Sequence, residues 1–488
     1  MSARYITTTL PYVNSDPHIG FAAEVLQADA FSRTWRLNGD EVFFNTGTDE
    51  HGQKILQSAD KAGQDVHDYV DYYAAEFRKL HEALDLSNDA FIRTTDEAHM
   101  QAAEEMWRRC EAKGDIYKKA YTGLYCVGCE AFKTEKEIVD GHCAIHTNLT
   151  PEEITEENYF FKFSNYQKQL LDYLKGENVI VPEWRRQEAI AFAENGLEDF
   201  SISREKARLS WGVPVPGDET QVMYVWFDAL TNYISTLGWP TDPEGKFKKY
   251  WEDGRVLQLA GKDQVRFQSL MWQAMLMSAD IKTTNTVFYH GFINAAGGQK
   301  MSKSLGNVIN PLELVDKYGT EATRFLLLRN IHPYDDTDIT WERLDEWYTA
   351  DLVNGIGNLT ARILQMAETH LSAPVSLPNF DFKQEYESVL LDRKIPEFRI
   401  DEIVDQIAVI DVQALDARIT KDRPFNLVKE DLEAGQALIT ELVIGLSRVV
   451  RLLTPFMPST SDKILQAIKE NKKPENLFPR LPVQVGLV

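Results

Sequence analysis

Residues 5–45, YITTTLPYVNSDPHIGFAAEVLQADAFSRTWRLNGDEVFFN, decide the fold. Residues 5–10 are a short run rich in Thr, Ile and Tyr, and Pro11, Asn14, Asp16 and Pro17 break it, which reads as a strand running into a turn. Ala22, Val25, Leu26, Ala30 and Phe31 then recur at helical spacing, and Asn38-Gly39 supplies a left-handed terminator before a second strand at 41–45. Two strands joined by a helix make a βαβ unit. Such units build a doubly wound parallel sheet, whose ligands sit outside the carboxyl ends of the strands.

Outward from this unit, residues 66–113 are helical in pattern, and after Gly114 the texture turns to Tyr, Gly, Cys and short alternating runs. The expected organisation is a first half of the sheet domain at 1–113, an inserted domain at 114–220 and a second half at 221–290. Strand candidates at 222–227, 256–260 and 287–289 resume the sheet, a region that holds a glycine–lysine loop follows at 291–343, and 344–488 is helical. In that last part Leu352, Ile356, Leu359, Ile363 and Met366 keep one face, and residues 372–381, with two prolines and no period, connect helices.

At 488 residues the chain needs more than one core. Hydrophobic residues are 43% and no apolar run approaches the roughly 18 residues of a membrane span. The start, MSARYITTTL, lacks the pattern of a signal or transit peptide, so a cytoplasmic address is expected. The formal charge of −23 argues against nonspecific nucleic-acid binding, which draws its affinity from neutralised phosphates; any RNA contact must come from local basic groups.

Three motifs carry chemistry. Pro17-His18-Ile19-Gly20 puts an imidazole and a glycine at a helix start, where free amides and the helix dipole favour phosphate. Gly297-Gly298-Gln299-Lys300-Met301-Ser302-Lys303-Ser304 joins flexible glycines to two lysines three apart, suited to neutralising a pyrophosphate leaving group. Alone, the first reads more readily as a structural turn and the second as a solvated basic loop. Cys126-x2-Cys129, thirteen residues, then Cys143-x2-His146 is zinc spacing, and four protein ligands leave no open position, so the ion's role is structural.

Together, Pro-His-Ile-Gly and Lys-Met-Ser-Lys-Ser resemble the paired signatures of class I aminoacyl-tRNA synthetases. Residues 46–52 (TGTDEHG), 224–229 (YVWFDA) and 261–263 (GKD) resemble the methionine-specific family, densely to about residue 330 and more thinly beyond. The resemblance implies a Rossmann-type catalytic domain split by a connective insertion with one zinc knuckle, a KMSKS-loop and stem-contact region, and a helical anticodon-binding domain. It implies that ATP, with Mg2+, meets His18, Gly20, Glu24, Lys300 and Lys303, with His18, Lys300 and Lys303 catalytic. It also implies that methionine meets Leu10, Tyr12, Asp49, Trp226, Tyr233 and Asp263, that tRNA(Met) is read by Asn358, Arg362 and Phe425, and that the enzyme is a monomer. Where the family has a second His in its first signature this chain has Phe21, and Gln264 and Gln268 replace an Ile and a His of the methionine region. These departures keep two alternatives open: a class I synthetase of changed amino acid preference, and a non-catalytic tRNA-binding descendant.

Overall fold

In the computed structural model, which describes residues 2–128, 131–133, 137–301 and 307–482, the opening segment folds as β1 (Ala3–Thr7), α1 (Ile19–Leu37) and β2 (Glu41–Thr48). The chain continues through α2 (Val66–Ala83), β3 (Ala90–Arg93), α3 (Glu97–Ala112), β4 (Ile116–Cys126), β5 (Glu152–Phe161) and β6 (Ile180–Val181). Then come α4 (Val225–Ala229), β7 (Arg255–Gly261) and β8 (Thr286–His290). The carboxyl-terminal part contains α5 (Pro311–Tyr318), α6 (Thr320–Asn330), α7 (Asn358–His370), α8 (Leu432–Leu453) and α9 (Pro458–Glu470). No helix among the described residues is long and apolar enough to cross a membrane.

The chain divides into two compact units. The first takes everything up to Pro17, Asp40–Lys79 and Ser87–His290; the second takes His18–Gly39, Leu80–Leu86 and everything from Gly291. The first unit is built on a parallel sheet in the order β3-β2-β1-β7-β8-β6. Tyr5 lies beside Phe43 on one side and Val256 on the other, and β2 and β7 are buried along almost their whole length, as strands covered on both faces must be. Trp107 and Met106 of α3 pack with Tyr5, Phe43 and Val256 in the core. Beside this sheet, β4 and β5 pair antiparallel along ten residue pairs.

Three local expectations are corrected. The helical reading of 66–113 is interrupted by β3, a four-residue strand that adds an edge to the sheet. Residues 222–227 do not join the parallel sheet: Asp218–Met223 forms an antiparallel strand with Ser203–Glu205 and Pro214–Val215, and Val225 opens the short α4. Short apolar runs fit a strand or a buried helical turn equally well, and tertiary context decided here. Conversely, residues 180–181, inside the inserted stretch, supply β6 to the main sheet beside β8.

The second unit is held together by a buried arginine as well as by apolar packing. Arg324 of α6 is fully buried; it donates to Asp29 Oδ2 of α1 at 2.7 Å and to the carbonyls of Leu84, Pro455 and Phe456. A buried guanidinium is tolerable only when its donors are met and its charge is paired, and both conditions hold here. Leu352, Ile356, Leu359 and Ile363 form the buried stripe expected of them, Met366 at its end is only partly buried, and no helix covers 372–381.

Candidate functional site

At the carboxyl ends of β1 and β2, the backbones of Tyr12 and Asp49 form a parallel bridge: Val13 N–H donates to the Asp49 carbonyl and Asp49 N–H to that of Pro11. Asp49 is therefore fixed by main-chain bonds, and its side chain is buried (2% exposed). The Tyr12 ring meets Trp226 edge-on at 6.3 Å, and Trp226 stacks on Phe267 at 4.1 Å. Tyr233 is buried and receives a hydrogen bond from Gln268 Nε2, while Gln264 Nε2 donates to the exposed Asp263 at 3.2 Å. Leu10 lies half-buried on the same segment as Tyr12. The six residues expected to contact the amino acid all belong to the first unit, and Tyr12, Asp49 and Trp226 are in one constellation.

Both glutamines that replace apolar or imidazole groups have turned their amide donors to protein partners. That answers the desolvation problem on the donor side only; Gln268 Oε1 is buried without a hydrogen-bond partner.

In the second unit, His18 is the N-cap of α1. Its Nδ1 accepts from the amides of Gly20 at 3.1 Å and Phe21 at 3.3 Å, and the side chain is exposed. A nitrogen that accepts from two amides carries no proton, so in the neutral ring the proton is on Nε2. A Cβ at Gly20 would stand 3.0 Å from two atoms of that imidazole, so a larger residue would press on the ring and shift it by a few tenths of an ångström. Glu24, one turn on, is buried. Phe21 points the other way: it is 4% exposed and stacks on His81 at 6.2 Å.

Lys300 is exposed on a short strand paired with Asn294, after Gly297 and Gly298, both at φ +73°, a backbone that L side chains rarely adopt. Gly298 N–H donates to Asp338 at 2.9 Å, which anchors the loop's stem. Lys303 lies outside the described residues, as does Cys129 of the zinc motif.

The rest of the knuckle converges. Donor atoms of Cys126, Cys143 and His146 lie within 4.8 Å of one another, with Cys126 Sγ 3.9 Å from His146 Nδ1 and both thiols buried. A Cβ at Gly128 would strike the His146 ring at 2.8 Å, so glycine there makes room for the ligand. Soft thiols with an imidazole are the donor set zinc prefers.

Comparison with known proteins settles the family. The family model for class I (M) tRNA synthetases matches residues 4–148 and 133–364. The methionine–tRNA ligase of Caldanaerobacter subterraneus is 37% identical over 99% of this chain and 80% of its own length, and that of Brucella suis is 39% identical over 95% and 91%. The structure of Mycobacterium tuberculosis methionyl-tRNA synthetase in complex with methionyl-adenylate matches with a TM-score of 0.88 at 36% identity, covering 100% of this chain and 99% of that one. The chain belongs to the methionyl-tRNA synthetase family.

Of the positions for which the methionyl-tRNA synthetase resemblance implies an anticodon role, Asn358 is exposed at the start of α7. Arg362, four residues on, is ion-paired with Asp416. Phe425 is 47% exposed. Sequence reasoning missed one buried group altogether. Asp228 accepts from His51 Nδ1 at 2.6 Å and His99 Nε2 at 2.7 Å. Burial pushes its carboxyl up, but His51 and His99, by charge and hydrogen bond, outweigh it and hold it at about 2. His51 and Asp228 lie in segments whose likeness to methionyl-tRNA synthetases was legible, but nothing in the sequence around His99 marked it.

Proposed function

We propose that this chain is a methionine–tRNA ligase. It activates L-methionine with ATP to methionyl-adenylate, releasing pyrophosphate, and transfers the methionyl group to the 3′ end of tRNA(Met). The observation that carries this reading is the Tyr12–Asp49–Trp226 constellation at the carboxyl ends of β1 and β2, in a chain whose M. tuberculosis relative is described with methionyl-adenylate bound.

In this reading Asp49 pairs with the substrate ammonium and Tyr12, Trp226 and Tyr233 wall the side chain, with Leu10 and Asp263 beside them. The methionine carboxylate attacks the α-phosphorus in line, the bond to the pyrophosphate oxygen breaks, and pyrophosphate leaves; Mg2+ bound with ATP would supply positive charge to the phosphates. His18 donates from Nε2 to phosphate oxygens as charge develops, with Gly20 and Glu24 on the same helix start; Lys300 and Lys303 neutralise the leaving group. The tautomer forced on His18 by its two backbone donors supports that role. Cys126, Cys129, Cys143 and His146 hold one zinc ion whose work is to fold the knuckle. Asn358, Arg362 and Phe425 read the anticodon, and the enzyme acts as a cytoplasmic monomer.

The test is pyrophosphate–ATP exchange run with each standard amino acid, followed by charging of tRNA. Exchange with methionine and no other, together with charging of tRNA(Met), is expected. Exchange led by another amino acid would establish a changed preference, for which the buried and unpartnered Gln268 Oε1 is the specific motive. The absence of both exchange and charging would overturn the assignment.

A further inference from the structure

Asp228 is fully buried, and the imidazoles of His51 and His99 that face it are 3% and 1% exposed. An ionised carboxylate only accepts, so His51 carries a proton on Nδ1 and His99 one on Nε2. The other side of His99 is also engaged: Nδ1 lies 2.9 Å from Ser235 Oγ. The three partners come from separate places, His51 from the turn after β2, His99 from α3, and Asp228 with Ser235 from the segment that opens with α4.

The spacing of this network against the methionine wall is regular. His51 follows Asp49 by two residues, Asp228 follows Trp226 by two, and Ser235 follows Tyr233 by two. Each of three wall residues is therefore tethered through a nearby backbone to one buried carboxylate, and α3, which supplies none of the wall, anchors it through His99. Folding alone does not require such a group, since a buried charge network replaced by apolar residues of similar volume is often neutral or stabilising. What a fully satisfied polar network does supply is a single geometry.

We propose that Asp228, acting through His51 and His99, is the positioning residue of the methionine pocket, holding Asp49, Trp226 and Tyr233 in register without touching substrate. The inference rests on reading those three as the methionine wall. Its consequence is that loss of the carboxylate is felt in methionine affinity and not in the handling of ATP.

Asp228→Asn keeps the size and turns one acceptor into an amide donor facing an imidazole N–H. One bond is lost, or His99 changes tautomer and its contact with the Ser235 hydroxyl, which can also accept, reverses direction. In pyrophosphate exchange the variant is expected to raise KM for methionine about tenfold, the scale of an outer-shell loss, with KM for ATP and kcat within about threefold of wild type. His99→Gln, whose amide can still donate, should recover most of the methionine affinity lost in His99→Ala. An unchanged methionine KM in folded Asp228→Asn, or equal rises for methionine and ATP, overturns the proposal. If that variant does not fold, the decision passes to Ser235→Ala and the His99 pair: a methionine KM unmoved in all three overturns it, and a rise in Ser235→Ala with recovery in His99→Gln supports it. Trp226→Ala tests the underlying reading separately; if methionine KM ignores that change, the wall assignment has failed, whatever Asp228 does.

Discussion

His18 has two jobs that substitution can separate. As N-cap it satisfies two amides of the first turn of α1, and as a donor it presents Nε2. Asn is as good a cap but its shorter side chain cannot carry a donor out to where Nε2 sits, so His18→Asn should keep the helix start while His18→Ala also loses about 1 kcal/mol of capping. Both should lower kcat of pyrophosphate exchange by at least about tenfold, with little change in KM for ATP; unchanged turnover would refute the assignment. Gly20→Ala should move in the same direction, because the new Cβ presses on the imidazole at 3.0 Å. Phe21 shows where residue-level reading ran out. As a replacement for a family histidine it reads as a lost phosphate donor, yet its ring is buried against His81. Helical spacing could not reveal this, because α1 is buried on nearly every side, its Glu24, Gln27 and Asp29 included. Phe21→His is accordingly expected to lower stability by about 1–3 kcal/mol, since it buries ring nitrogens in a site built for a phenyl ring, and not to speed activation. Chemical denaturation and exchange kinetics on the same preparation check both parts.

Elements were legible in proportion to the length of their pattern. The β1-α1-β2 run was readable because proline and glycine punctuate it and its strands pair in register, Tyr5 with Phe43 and Ile6 with Phe44. The two-residue β6 was not, since no pattern of that length distinguishes an edge strand from a loop, and α4 was misread because Tyr, Val, Trp and Phe favour strands wherever packing does not overrule them. The zinc knuckle stood out for a chemical reason: ligand spacing is fixed by the ion rather than by the fold. Donor atoms of Cys126, Cys143 and His146 lie close enough together to hold a metal ion, so under the proposed reading purified protein is expected to hold one zinc per chain by metal analysis. Cys126→Ser, or removal of the ion by a chelator, should lower the thermal midpoint by several degrees, as loss of a structural zinc removes folding energy outright. Exchange by the protein that remains folded should change less than charging does. A metal-free preparation with an unaltered melting profile would deny the knuckle its structural role.

For the whole molecule, the charge of −23 sets the terms on which an RNA is met. A strongly acidic chain repels a polyanion at long range, so binding depends on a few cations, and one that a carboxylate already holds must be released to take part. Arg362 is such a group, held by Asp416. The pair is partly exposed, 37% on the arginine side and 43% on the aspartate side, so breaking it costs little stability. Yet any base or phosphate that claims Arg362 must first displace Asp416. Asp416→Asn should therefore tighten tRNA(Met), lowering its KM in charging about threefold, with methionine-dependent exchange in the absence of tRNA unchanged; the gain should shrink as salt is raised, because it is electrostatic. Arg362→Ala and Phe425→Ala should act in the opposite sense, each lowering kcat/KM for charging about tenfold while exchange stays at wild-type rates, since stacking on an exposed ring and a charge-assisted contact are each worth about 1–3 kcal/mol. Charging and exchange measured side by side across an ionic-strength series decide the matter. If Asp416→Asn weakens tRNA binding, the carboxylate is orienting Arg362 for the anticodon instead of competing for it, and the two residues act as one recognition group.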